Sequence, residues 1–214
     1  FSQEYRLKVS SIIDGSESNF GGPGHTNLIY TICEKLNITN AIENEVVLES
    51  GDGVLDIGAN DGTLLDSYFT QGLKCVGCEP ADNLIESLSK KTDYVMHDFW
   101  SYESYVNQQE KWNIGKAKVI TAIGMFYDLE DPNQFIKDAQ KSLAEDGVFV
   151  AQLMCLKSML EKNDLGNICH EHLEYYSLAS LKYLFETNGL EMFKIEENDV
   201  NGGSYRIFAR HYKG

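Results

Sequence analysis

The chain opens with a helical period and then changes to a mixed one. From Thr26 to Leu36 the apolar residues Leu28, Ile29, Ile32, Cys33 and Leu36 fall on one helical face, with Thr26 or Asn27 near the start as a cap, and predict a first helix. After it, apolar runs too short for helices alternate with amphipathic stretches. The runs at Gly53–Gly58, Leu73–Cys78, Tyr94–His97, Lys118–Ile123 and Val148–Leu153 predict strands, and helices are expected at Asp61–Thr70, Asn83–Lys90 and Asn133–Leu143, with a helix or loop at Ser101–Gln109. In the helix before the fifth strand Phe135, Ile136, Ala139 and Leu143 turn inward, and Gly147 ends the connection. A helix at Ser180–Asn188 stops at Gly189, and Leu190–Ile195 and Ser204–Arg210 read as two strands around Asn201-Gly202-Gly203. Strands alternating with helices in this way predict an α/β fold, an open and mostly parallel sheet with helices on both faces. Residues 1–26, rich in Gly and Ser and ending in Phe20-Gly21-Gly22-Pro23-Gly24-His25, predict a loop or lid. The expected organisation is an N-terminal lid and helical segment over 1–44 and one α/β domain over 45–214.

Composition narrows the class of partner. Lys and Arg total 18 against 33 Asp and Glu, a formal charge of −15, and only Arg6, Arg206 and Arg210 are arginines. A polyanion would have to overcome that field, so nucleic acid and anionic membrane are disfavoured and small-molecule chemistry is favoured. No apolar run reaches the roughly 20 residues of a membrane span. Five scattered cysteines, Cys33, Cys75, Cys78, Cys155 and Cys169, read as free thiols of a reducing, cytoplasmic compartment. Cys75 and Cys78 form a CxxC, but within a strand they point to opposite faces, which argues against a shared metal. The start at Phe1, with neither Met nor a targeting segment, reads as a trimmed or excised domain.

In an open α/β sheet, ligands bind beyond the carboxyl ends of the strands. After the first strand stands Asp56-Ile57-Gly58-Ala59-Asn60-Asp61-Gly62, which lacks the GxGxxG of a pyrophosphate cradle and carries two carboxylates instead. A phosphate within about 5 Å of either would cost several kcal/mol at an effective dielectric near 20. The loop therefore favours a cation, and S-adenosyl-L-methionine (SAM) has a sulfonium, an ammonium and an adenosine but no phosphate. Glu79, followed by Pro80, ends the second strand, where an acidic residue accepts ribose hydroxyls. Asp98 and Phe99 after the third strand offer a carboxylate for the adenine amino group and a ring for its face. In this order of motifs the chain resembles the class I SAM-dependent methyltransferases over roughly residues 45–214. The resemblance implies a Rossmann-like seven-stranded sheet with the last strand antiparallel, and a donor site of Asp56, Gly58, Asn60, Asp61, Gly62, Glu79, Pro80, Asp98 and Phe99, with Ile123 and Gly124 along the methionine side.

Three strings narrow it further: Ile57-Gly58-Ala59-Asn60-Asp61-Gly62-Thr63-Leu64-Leu65, Cys169-His170-Glu171-His172-Leu173-Glu174-Tyr175 and Asn201-Gly202-Gly203-Ser204-Tyr205-Arg206. Together they resemble the C-methyltransferases of nucleotide-linked deoxysugars. That resemblance implies transfer to a small, sugar-linked acceptor in carbohydrate biosynthesis, with His172 as general base and Glu171 supporting it. His170 is a further candidate. On an extended segment His170 and His172 would face one side; on a helix they would diverge. HxH alone lacks third and fourth ligands, so no metal is expected. Two positions depart from the family: Cys169 replaces the usual Tyr and Asp128 stands where a His is usual. A thiol and a carboxylate suit an enolate less well than a phenol and an imidazole, whereas Asp128 could take a proton from a hydroxyl or amine, so O-, N- and C-methylation all stay open. The plain alternative for Asp128 is a helix cap ahead of Asp131-Pro132, and for Arg206, an acceptor contact or an ion pair inside the final hairpin. The rival function is a non-catalytic SAM-binding regulatory or docking module. Nothing in the sequence names an oligomeric state.

Overall fold

A computed structural model describes residues 35, 37–164 and 166–213. The predicted lid and nearly all of the predicted helix Thr26–Leu36 lie outside them. Among the described residues seven strands form a single sheet: β1 (Gly53–Ile57), β2 (Lys74–Cys78), β3 (Tyr94–Met96), β4 (Ala117–Ile123), β5 (Leu143–Met154), β6 (Leu190–Asn198) and β7 (Ser204–His211), in the spatial order β3-β2-β1-β4-β5-β7-β6. β1 to β5 pair in parallel, and β7 lies antiparallel between β5 and β6. The order reverses between β1 and β4, which opens a crevice at their carboxyl ends.

The sheet is covered on both faces, as its strands require. β1 is buried along its whole length, as expected for a central parallel strand. Leu55 and Ile57 join a core with helices α3 (Tyr102–Trp112), α4 (Pro132–Ser142) and α6 (Leu178–Thr187), through Tyr105, Phe135, Ile136, Leu181 and Phe185. Val54 faces the other way, into a cluster with Ile38 and Ile42 of helix α1 (37–43), Leu64, Leu65 and Leu88 of helix α2 (Asp82–Leu88). Residues 37–43 thus pack into the same core as the strands. Cys75 packs with the second cluster and Cys78 with the first, on opposite faces as the strand period dictates.

Local chemistry sets the element ends. Ser101 with Ser104, and Ser177 with Ser180, close capping boxes on α3 and α6, so α6 begins before the predicted Ser180. Asp131 caps α4 by accepting from the Gln134 amide, with Pro132 in the first turn. One predicted helix does not form. Over Asp61–Thr70 the chain makes turns and a 3-10 segment, Leu65–Ser67. Gly62 has φ +80°, Asp61 takes the Thr63 amide and hydroxyl, and the Phe69 and Thr70 amides donate to Glu43 of α1 instead of to helical carbonyls. Side chains satisfy the groups that a helix would have satisfied. Helix α5 (Leu156–Lys162) was not anticipated.

Candidate active site

The loop after β1 is wound by alternating left-handed residues, Gly58 (φ +73°), Asn60 (φ +54°) and Gly62 (φ +80°). The Gly58 and Ala59 amides donate to the Cys78 carbonyl at 2.9 and 3.0 Å, tying the loop to the end of β2. A side chain at Gly58 would press on Met125 at 3.2 Å in a conformation that L residues avoid, so the bare backbone forms the wall.

The loop borders a cleft of about 960 Å³. Glu79, 7% exposed, is held by two amides, Asn60 N–H to Oε2 and Ala81 N–H to Oε1, both 2.9 Å. Each oxygen retains a lone pair for a ligand hydroxyl. Asp56 is 2% exposed and accepts from Thr121 Oγ1 at 2.6 Å. Burial pushes its carboxyl from 3.8 up to about 6, against the pull of the Thr121 bond and of Lys35 and with that of Glu79. Pro80, Phe99, Ile123 and Gly124 line the same cleft. Asp61 also reaches its edge, but its carboxylate is engaged by Lys91 at 2.8 Å; burial opposes its charge, and the Lys91 and Thr63 bonds outweigh burial and hold it below the usual carboxylate range.

Two expected donor residues stand apart from the cleft wall. Gly62 packs under α2, where a Cβ would come within 2.9 Å of Leu88: its glycine serves packing. Asp98 is exposed and its carboxylate accepts from the Phe99 amide at 2.8 Å. The sequence in turn passed over Lys35, Trp100, Met125, Leu129 and Glu130, all in the wall. Trp100 directly follows Asp98-Phe99 and was within reach of the same argument; nothing in the local pattern marks Lys35.

Asp128 lines the cleft too, in the 3-10 turn Phe126–Asp128 after β4. It is not the helix cap, because Asp131 fills that role. Desolvation raises its pKa, with His172 pulling down and Glu171 pushing up, so both lie near Asp128, although neither lines the cleft itself. His172 meets the Tyr127 ring edge to face at 4.6 Å, and its Nδ1 lies 2.7 Å from the Asn167 carbonyl oxygen. His170, by contrast, is 91% exposed and pairs with Glu171 at 3.0 Å. The segment turns at 170–171 rather than running extended, so the two imidazoles do not share a face. A smaller cavity of about 220 Å³ adjoins the cleft across Ile123, Gly124 and Lys35, and is otherwise walled by groups such as Tyr127, Gln152, Asn201 and Ser204. Arg206 is spent on structure: it bonds Gln152 Oε1 at 3.0 Å and Glu196 Oε2 at 3.2 Å, its register partners on β5 and β6. Among the described residues no group of three His, Cys, Asp or Glu could hold a metal ion, and no helix is long and apolar enough to cross a membrane.

A mostly parallel sheet with a cleft at its order reversal, walled by buried carboxylates on two adjacent strand ends, defines an open α/β domain with its ligand site where such folds place it. Residues 29–195 match the family model of the methyltransferase domain, and the chain belongs to that family. It is 31% identical over 162 residues to the C-methyltransferase NovU of Streptomyces niveus, across 76% of this chain and 38% of that protein, so it spans well under half of that relative. Among solved structures it resembles the YcgJ protein of Bacillus subtilis (TM-score 0.60, 15% identity, 85% of this chain and 99% of that one). It also resembles magnesium protoporphyrin IX methyltransferase (ChlM) of Synechocystis with bound SAH (TM-score 0.60, 11% identity, 98% and 93%). The cofactor of such a domain is SAM. The cleft fits it by volume, by the bare Gly58 wall and by a Glu79 carboxylate with acceptor capacity to spare.

Proposed function

We propose that this domain transfers a methyl group from SAM to a small, carbohydrate-related acceptor. The observation that carries the proposal is the pairing of Asp56 and Glu79, two carboxylates on neighbouring strand ends in one cleft whose loop leaves backbone exposed at Gly58. Bound there, SAM supplies an electrophilic methyl on a sulfonium. Glu79 would accept from the ribose hydroxyls, and Asn60, whose amide it holds, fixes the loop beside it. Asp56, Asp61 and the Phe99 ring complete the donor side, with Pro80, Ile123 and Gly124 as apolar walls. Lys35 tempers the negative field at Asp56.

The acceptor would enter from the smaller cavity, whose polar groups suit a hydroxyl-rich ring. His172 is the general base, and Asp128, whose carboxyl feels both His172 and Glu171, stands nearby at the cleft wall. The likeness to a C-methyltransferase supports a carbon acceptor; the carboxylate at Asp128 keeps a hydroxyl or amine acceptor in view.

Calorimetry with SAM and with NADH, then incubation of sugar nucleotides with methyl-deuterated SAM and mass detection of the product, tests this. SAM should bind, NADH should give no heat, and one sugar-linked acceptor should gain the labelled methyl. NADH saturating the cleft while SAM produces no heat would overturn the proposal. Donor binding with no transfer to any acceptor would favour the non-catalytic module.

A further inference from the structure

The histidine string and the double-glycine turn are far apart in sequence, yet they meet in the fold. Residues 166–176 contain neither helix nor strand, so their shape depends on bonds made sideways. Asp164 supplies the first set. Its amide donates to the Met159 carbonyl at the end of α5, its Oδ1 accepts from Gly166 N–H at 3.0 Å and its Oδ2 accepts from Asn167 Nδ2 at 2.9 Å. Asn167 Nδ2 also donates to the Asn201 carbonyl at 3.2 Å, while Lys162 Nζ donates to the Gly202 carbonyl at 2.6 Å. A Cβ at Gly202 would lie 2.6 Å from Asp164 Oδ2, so a glycine there is what allows the carboxylate to rest on the turn. At the far end the Leu173 and Glu174 amides both donate to the Tyr127 carbonyl at 3.0 Å.

His172 sits between these anchors. Its Nδ1 lies 2.7 Å from the Asn167 carbonyl oxygen, which also accepts from the Tyr175 hydroxyl at 3.4 Å. A carbonyl oxygen can only accept, so Nδ1 carries the proton and a neutral ring keeps its lone pair on Nε2.

We infer that Asp164 and Asn167 are positioning residues: they clamp the histidine-bearing segment to the Asn201–Gly203 turn and thereby fix His172 as the Nδ1–H tautomer. The inference rests on His172 being the base proposed above. In the reaction the acceptor's proton passes to Nε2, and the imidazolium so formed keeps its Nδ1–H bond to the Asn167 oxygen, where its charge is stabilised. The Asn-Gly-Gly turn is on this account part of the catalytic apparatus although it lies outside the donor cleft.

Long-range proton–nitrogen NMR of the ¹⁵N-labelled protein saturated with SAH reads the tautomer directly and needs no acceptor. Wild type should show a protonated Nδ1 and an unprotonated Nε2 at His172. Asp164→Ala, and Asn167→Asp, which sets a carboxylate against Asp164, should each give a mixed tautomer while SAH affinity stays within about twofold, the readout that the fold is intact. Gly202→Ala displaces Asp164 from the opposite side and should give the same spectrum. With a sugar nucleotide that wild type methylates, kcat should fall at least about tenfold in all three with the KM for SAM unchanged. A wild-type spectrum with the proton on Nε2, or variants that keep both the wild-type tautomer and kcat, would overturn the clamp. Full turnover by His172→Ala would overturn the base assignment instead, and the spectra would still decide the clamp.

Discussion

The proposed donor and acceptor halves of the site are built by different means. The donor half hangs on the carboxyl ends of β1, β2 and β4, where Asp56 and Glu79 are buried and backbone bonds tie loop to strand. The proposed acceptor half is a set of irregular segments, the 3-10 turn after β4, residues 166–176 and the turn before β7, held to one another by a few cross-bonds, the Leu173 and Glu174 amides on the Tyr127 carbonyl and the Asn167 side chain on Asp164 and the Asn201 carbonyl. A site carried by strand ends inherits the rigidity of the sheet, and one carried by cross-braced loops depends on each brace. Damage to the first half should therefore appear in binding, and damage to the second in turnover.

The largest expected effect tests that division directly. His172→Ala should leave SAM affinity within about twofold and lower methyl transfer about 10²- to 10⁴-fold, the usual range for loss of a general base. Calorimetry and a single-turnover assay on one preparation suffice, and a comparable loss in both would show that the two halves are not separable. Next in size, Glu79→Ala should weaken SAH about a hundredfold, since bonds to a charged acceptor contribute about 1.5–3 kcal/mol each and the Asn60 and Ala81 amides lose their partner as well. Glu79→Gln, which keeps one acceptor oxygen, should fall between. An unchanged Kd for Glu79→Ala would remove the donor half's central contact.

A smaller effect comes from pH. Because burial lifts Asp56 from 3.8 to about 6, between those values the native protein holds a proton that the unfolded chain has released. Its contribution to stability is thus fully present below pH 4 and is lost as pH rises through 6, by at most about 3 kcal/mol. Over the same window the carboxylate ionises and SAM affinity should rise. Asp56→Asn should flatten both profiles; chemical denaturation and calorimetry at pH 4.5 and 7.5 would show it, and parallel profiles for wild type and variant would contradict the electrostatic role of Asp56.

The contrast between the halves also explains what was legible in the sequence. Strand periodicity placed β1, β2 and β4 and so the loop, Glu79 and Gly124, because a buried strand leaves a local mark. The helix expected at Asp61–Thr70 failed for a non-local reason: Glu43, distant in sequence, supplies the carboxylate that takes the Phe69 and Thr70 amides. Gly62 resembled a ligand glycine, but its neighbour is Leu88. Arg206 could have served an acceptor or a hairpin pair, and only the register that sets it beside Glu196 and Gln152 decides for the pair. In the acceptor half Asp164 and Asn167 carry no periodic signal, since their partners come from the turn at Asn201 and from other loop residues.

The smallest expected effect is at His170, and it separates two histidines that the sequence presents as equals. On an extended strand they would have shared a face, but the chain turns at 170–171, which sends one ring outward and brings the other against Tyr127. The His170–Glu171 pair is solvent-exposed, with side chains 91% and 62% accessible, and exposed pairs contribute little. His170→Ala should accordingly change SAM affinity and transfer by less than about twofold. A loss as large as that of His172→Ala would mean that the outward ring meets the acceptor, and the acceptor would then approach from the solvent side of residues 170–171 rather than through the cavity beside Gly124.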